Sequence, residues 1–128
     1  MIGIDSDCII DFLRGSGAAI NVVDKFRGEL ATTEINRFEV FFGISLQKTF
    51  PQAEANAAHA LFKAIPVFPF GQGERAAAIL AALMKDGSAI NQNDTLIAAA
   101  LLANGCSGII TKNRKDFAKI KGLEIISY

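Results

Sequence analysis

The sequence is poor in the residues that bind soft metals and relay protons. One histidine and two cysteines occur in 128 residues, and Cys8 and Cys106 stand too far apart for the paired spacing of a zinc site, so that chemistry is excluded. Two isolated cysteines in a cytosolic chain stay reduced, and both are read as small buried hydrophobes. His59 falls in a predicted helix away from the acidic motifs described below and is read as a packing or surface residue. Net charge is missing as well. Thirteen basic residues balance 13 acidic ones, so any nucleic-acid binding must come from a local basic patch rather than from the field of the whole molecule.

Long apolar runs are also absent. The longest, Ala76 to Met84, falls far short of the roughly 20 residues that a membrane-spanning helix needs. No basic stretch followed by an apolar one opens the chain, because Asp5 and Asp7 intervene. The expectation is a protein without a signal peptide, working in the cytoplasm with no membrane partner. Repeats, low-complexity stretches and linkers are lacking too, and the length suits a single domain over residues 1–128.

What the chain does have is apolar residues, 51% of the total, with a mean hydropathy of +0.31. A small domain this rich in Ala, Leu, Ile and Phe carries surplus apolar surface, which predicts at least a homodimer. Short apolar runs at Met1–Ile4, Glu29–Ala31, Ile65–Phe70, Ser107–Thr111 and Leu123–Ile126 read as strands. Pro66 and Pro69 suggest that the third lies at an edge. Between them, helices are predicted from about Ile9, over Ala18–Phe26, from Thr32 or Thr33 past Glu39, from Pro51 to Ala64, over Glu74–Lys85, from Asp94 to Asn104, and over Arg114–Phe117. Strands alternating with helices predict an α/β fold with a parallel sheet covered on both faces.

Four carboxylates, Asp5, Glu39, Asp94 and Asp116, fall near the ends or within the turns of these elements. In parallel sheets functional groups collect beyond the carboxyl ends of the strands, near the point where strand order reverses. Asp5 ends the first strand and Asn113 follows the fourth, so both belong on that rim. Carboxylates gathered there repel one another unless a cation neutralises them, and their hard oxygens suit Mg²⁺ or Mn²⁺. An ion held by carboxylates and waters orients a phosphate, activates water and offsets charge on the leaving oxygen, which is the chemistry of phosphodiester hydrolysis.

Four motifs sharpen this reading: Met1-Ile-Gly-Ile-Asp-Ser-Asp-Cys-Ile-Ile-Asp11, Glu39-Val-Phe-Phe-Gly43, Asp94-Thr-Leu-Ile-Ala-Ala99 and Thr111-Lys-Asn-Arg-Lys-Asp-Phe117. In order and spacing the chain resembles the PIN-domain nucleases, and within them the VapC-type toxins, over nearly its whole length. The resemblance implies a three-layer α/β/α sandwich with a short parallel sheet. It also implies a Mg²⁺- or Mn²⁺-dependent endoribonuclease acting on tRNA, rRNA or mRNA, inhibited by a cognate antitoxin protein. Carried over by motif, Asp5, Glu39, Asp94 and Asp116 match the acidic site residues, with Asp5 and Asp94 as metal ligands. Thr111 and Asn113 match the polar residues that shape the pocket. The opening motif departs from the family at Ser6, where threonine is frequent, and at Asp7, where asparagine is common. That extra carboxylate either reaches metal through water or repels its neighbours.

Blander roles compete at several positions. Asp5, Asp7 and Asp94 are all suited to capping a helix. Glu34, in a first helical turn, suits the helix dipole better than the site. Asp11 lies a turn beyond Asp7 and reads as a solvated or structurally paired group. Lys112, Arg114 and Lys115 are candidate RNA contacts, although basic residues in turns are commonly just solvated. Phe38, Phe41, Phe42, Phe50 and Phe62 read as core or as an interface for a second copy or an antitoxin before they read as base-stacking platforms. Two other functions stay open at this point. One is a small phosphatase, since Asp5-Ser-Asp7 after a strand resembles the opening motif of haloacid-dehalogenase hydrolases; the other is a non-catalytic interaction domain on the same scaffold.

Overall fold

The computed structural model describes residues 1–128. Its elements run β1 (Ile2–Ile4), α1 (Ser6–Leu13), α2 (Gly17–Lys25), β2 (Leu30–Thr33), α3 (Glu34–Ser45), α4 (Gln52–Ala64), β3 (Val67–Phe68), α5 (Gly73–Lys85), α6 (Gln92–Ala103), β4 (Gly108–Ile110), α7 (Arg114–Phe117) and β5 (Glu124–Ile126). The strands form one five-stranded sheet in the order β3-β2-β1-β4-β5, every pairing parallel. No helix is long and apolar enough to cross a membrane.

Alternation along the strands divides the core between the two faces. Ile2, Ile4, Leu30 and Ile110 pack with residues of α1 to α4, whereas Ala31 and Ile109 pack with α6, α7 and Phe68. Three layers result, as the sequence predicts. Gly3 faces α6, and a Cβ placed there would collide with the Leu101 side chain unless it shifted, so glycine allows β1 and α6 a close approach. Cys8 and Cys106 are free and buried.

Strand order reverses between β1 and β4. The chain builds outward from β1 to β2 and β3, then returns to the other side of β1. Ile4 stands opposite Ile110, and the Asp5 N–H donates to the Ile110 carbonyl at 3.0 Å. Asp5 and Thr111 therefore leave the sheet side by side at the switch point, where the topology opens a crevice.

Several boundaries differ from the sequence reading: α1 begins already at Ser6 and β2 runs on to Thr33. The third strand shrinks to Val67–Phe68 because Pro66 and Pro69 cannot donate to a ladder, and it does occupy an edge. Helix α6 begins at Gln92, with the Asn91 side chain capping it by accepting from the Asn93 N–H. Asp94 is therefore a first-turn residue rather than the helix start, which frees its carboxylate for other partners. The phenylalanines divide as well. Phe62 is buried and Phe41 lies against it and against His59, whereas Phe38, Phe42, Leu46 and Phe50 are exposed, with the Phe38 and Phe42 rings stacked at 5.8 Å.

Candidate active site

The rim residues form one hydrogen-bonded network. Asp5, 6% exposed, begins it. Its Oδ1 accepts from the Ser6 N–H at 2.9 Å and from the Asn36 amide at 3.0 Å, and its Oδ2 accepts from the Thr111 hydroxyl at 2.7 Å. A carboxylate offers about four lone-pair positions, so one on Oδ2 is left over. On one side the Asn36 amide also donates to the Ser6 hydroxyl, which in turn donates to Glu39 Oε1 at 2.7 Å. On the other side Thr111 Oγ1 accepts from the Asn113 N–H at 2.9 Å. The Asn113 side-chain amide spends its two N–H bonds on Asp94 Oδ2 at 2.9 Å and Asp116 Oδ2 at 3.1 Å. All four predicted carboxylates, with Ser6, Thr111 and Asn113, thus belong to a single set.

Charge in this set is under stress. Burial first, then the charges of Asp7 and Asp94, push the Asp5 carboxyl up to about 7 against the Thr111 and Ser6 bonds that lower it. Burial likewise pushes Asp94 up to about 6, helped by the charges of Glu39 and Asp116. Asp7 is raised by burial too. Its Oδ2 accepts from the Lys112 N–H at 2.9 Å, but its Oδ1 is buried without a partner.

This donor set fits a hard divalent cation. It consists of oxygens, it holds like charges close together, and it includes an unused lone pair on Asp5 and an orphaned oxygen on neighbouring Asp7. No three acidic, cysteine or histidine side chains close round a common point. Mg²⁺ does not require that, since it keeps several waters and is commonly held through one or two carboxylates.

Not every sequence candidate joins the network. Arg114 and Lys115 are exposed at the start of α7, and Lys112 is engaged with Asp11. Glu34 pairs loosely with Arg37 at 3.8 Å, as its position in the first helical turn suggests, and His59 is exposed on α4.

Asn36 is the residue that sequence reasoning missed. It is fully buried, and its Oδ1 accepts from the Thr33 hydroxyl at 2.7 Å and N–H at 3.3 Å while the Thr33 Oγ1 accepts from the Asn36 N–H. The signal was the Thr33-x-x-Asn36 spacing, a capping box with asparagine in place of Glu or Gln. Its amide aims both α3 and the Ser6 hydroxyl at the site. Asn36→Ala should cost about 3 kcal/mol in urea unfolding, because it strips partners from several buried polar groups at once.

Comparison with known proteins adds the following. The family described as "PIN domain" matches residues 2–123. Among curated proteins no significant match is found. Among solved structures, a chain of VapBC2 from Rickettsia felis bound to a DNA fragment of its promoter is similar with a TM-score of 0.85 and 19% identity, covering 100% of this chain and 99% of that one. VapBC-1 from nontypeable Haemophilus influenzae gives 0.79 and 24%, covering 99% and 98%. Mycobacterium tuberculosis VapC20, a sarcin–ricin loop cleaving toxin, gives 0.71 and 13%, covering 92% and 95%. At these identities the likeness is one of fold.

Proposed function

The chain belongs to the PIN-domain family, and from that premise we propose that it is a Mg²⁺- or Mn²⁺-dependent endoribonuclease, the toxin of a toxin–antitoxin pair. The observation that carries the reading is the joining of Asp5, Glu39, Asp94 and Asp116 at the β1/β4 switch point through Ser6, Asn36, Thr111 and Asn113. Solved relatives of the same fold are VapBC complexes, and one is a toxin that cleaves the sarcin–ricin loop. The substrate classes of this reading are tRNA, rRNA and mRNA. The phosphatase reading of Asp5-Ser-Asp7 gives way to the family assignment.

In this mechanism Asp5 and Asp94 would hold the cation, and Glu39 and Asp116 would add negative charge around it. Once bound, the cation supplies orientation of the scissile phosphate, a more acidic water and compensation for charge on the leaving oxygen. The chain's own residues supply order. The Thr111 hydroxyl, the Ser6 N–H and the Asn36 amide fix the Asp5 carboxylate, so that its free lone pair is set in advance rather than found on binding. Asn113 holds Asp94 and Asp116 together against their mutual repulsion. Ser6 orients Glu39, which stands ready to accept a proton from the attacking water.

The exposed Phe38, Phe42, Leu46 and Phe50, the first two stacked on each other, support protein partners, a second copy and a cognate antitoxin, because large exposed apolar side chains on a small domain call for cover. The purified protein should cut a pool of tRNA and rRNA in Mn²⁺ and leave it intact in EDTA. Failure to bind Mn²⁺, with no cleavage of the pool, would favour a non-catalytic interaction domain instead.

A further inference from the structure

Lys112 borders the site, yet its ammonium group is already committed. It forms an ion pair with Asp11 Oδ2 and lies 5.3 Å from the centroid of the Tyr128 ring. The Tyr128 hydroxyl donates to the same Asp11 oxygen at 2.8 Å. The main-chain N–H of Lys112 donates to Asp7 Oδ2 at 2.9 Å. Asp7 and Asp11 are four residues apart on α1 and so share one face of that helix. On either side of Lys112, Thr111 donates to Asp5 and Asn113 holds Asp94 and Asp116. Three successive residues thus divide their work: the outer two touch the acidic site, and the middle one is tied to α1 and to the segment after β5.

We propose that Lys112, Asp11 and Tyr128 form a latch that positions the Thr111–Asn113 loop over the acidic site, and that Lys112 acts on cleavage through this loop rather than by contacting RNA. An isolated exposed ion pair is worth little, because side-chain entropy and screening offset it. This one differs by sharing its carboxylate oxygen with a phenol hydroxyl and its cation with the ring of that same phenol, which restricts all three side chains together. The ionisation states agree with the geometry. The Lys112 bond and then the Tyr128 bond hold Asp11 below the usual carboxylate range, and burial followed by the Asp11 bond pushes the Tyr128 hydroxyl well above its ordinary value, so it remains a donor. What the latch secures is placement: a misplacement of about 1 Å in a catalytic array costs on the order of 100-fold in rate.

The kinetic half of the test rests on the nuclease reading and the structural half does not. Tyr128→Phe keeps the ring under the ammonium group and removes only the hydroxyl; Lys112→Met keeps the aliphatic stem and removes the charge. In metal-free protein followed by amide hydrogen exchange, both variants should speed exchange at Lys112 and Asn113 about tenfold while β1 and β4 stay protected. In cleavage, both should lower kcat about tenfold and leave KM and its salt dependence as in the wild type. Unchanged exchange with Lys112→Met raising KM and flattening the salt dependence would overturn the latch and make Lys112 an RNA contact. If the wild-type protein cuts no RNA, the nuclease reading fails, and hydrogen exchange alone then decides the latch, with wild-type rates in both variants refuting it.

Discussion

Asp5→Asn is expected to lower RNA cleavage on the order of 1000-fold while making the metal-free protein more stable at about pH 8. Both effects have one origin. The Asp5 carboxyl is buried and pushed up to about 7 from 3.8, so its ionised form is disfavoured in the folded state. A raised carboxyl contributes its stability fully below the unfolded value and loses it as pH climbs through the folded one. At about pH 8 the ionised Asp5 costs on the order of 4 kcal/mol. Asparagine has the same shape and no charge to bury, and the Thr111 hydroxyl can turn to accept from its amide. The variant should therefore unfold at a higher temperature than wild type at alkaline pH, at about the same temperature near pH 4, and show that loss of cleavage at either pH. Loss of cleavage together with loss of stability at both pH values would point to structural damage and remove Asp5 from the catalytic set.

The second large effect couples protons to metal. Without a cation, wild-type thermal stability should fall as pH rises from about 4 through 7, the window set by Asp5 at about 7 and Asp94 at about 6. Asp94 is only partly buried, and solvent screening makes its share the smaller one. Asp11, held low by Lys112 and Tyr128, acts with the opposite sign but below about pH 4, outside that window. If the site binds a divalent cation as proposed, the cation takes the place of the protons that the site releases, so Mn²⁺ should raise the melting temperature strongly at about pH 8 and hardly at all at about pH 5. Scanning calorimetry with and without Mn²⁺ at both pH values reads this directly. An equal rise at both would mean that the cation binds elsewhere.

Much of the site was legible because its signals are local. A short apolar run ending in Asp5, and another ending at Thr111, mark strands whose carboxyl ends face one crevice once the sheet is parallel, and the register Ile4 opposite Ile110 delivers that meeting. The Pro66 and Pro69 pair marks an edge by simple loss of donors. Other features have no local signature. That the Asp7 carboxylate would receive the Lys112 N–H depends on residues more than a hundred positions apart, and neither segment carries a pattern that anticipates it. Asn36 was hidden for a different reason: as a residue type it is ordinary in a first helical turn, and its reach to Asp5 and Ser6 follows only from where β2 sets the start of α3. The pairing of Lys112 with Asp11 was not legible either, because sequence displays a cation and not its counter-ion.

The tight meeting of Gly3 and Leu101 makes the apolar core a caliper for the acidic crevice. β1 carries Asp5 just beyond its end, and α6 carries Asp94 in its first turn. A side chain at position 3 would meet the Leu101 methyls, so glycine is what lets those two elements lie together without displacing the leucine. Ion size is discriminated by cavity dimensions and ligand flexibility. If the crevice takes an ion as proposed, the jaw that gauges it would be adjusted in the hydrocarbon layer, at a position that bears no charge.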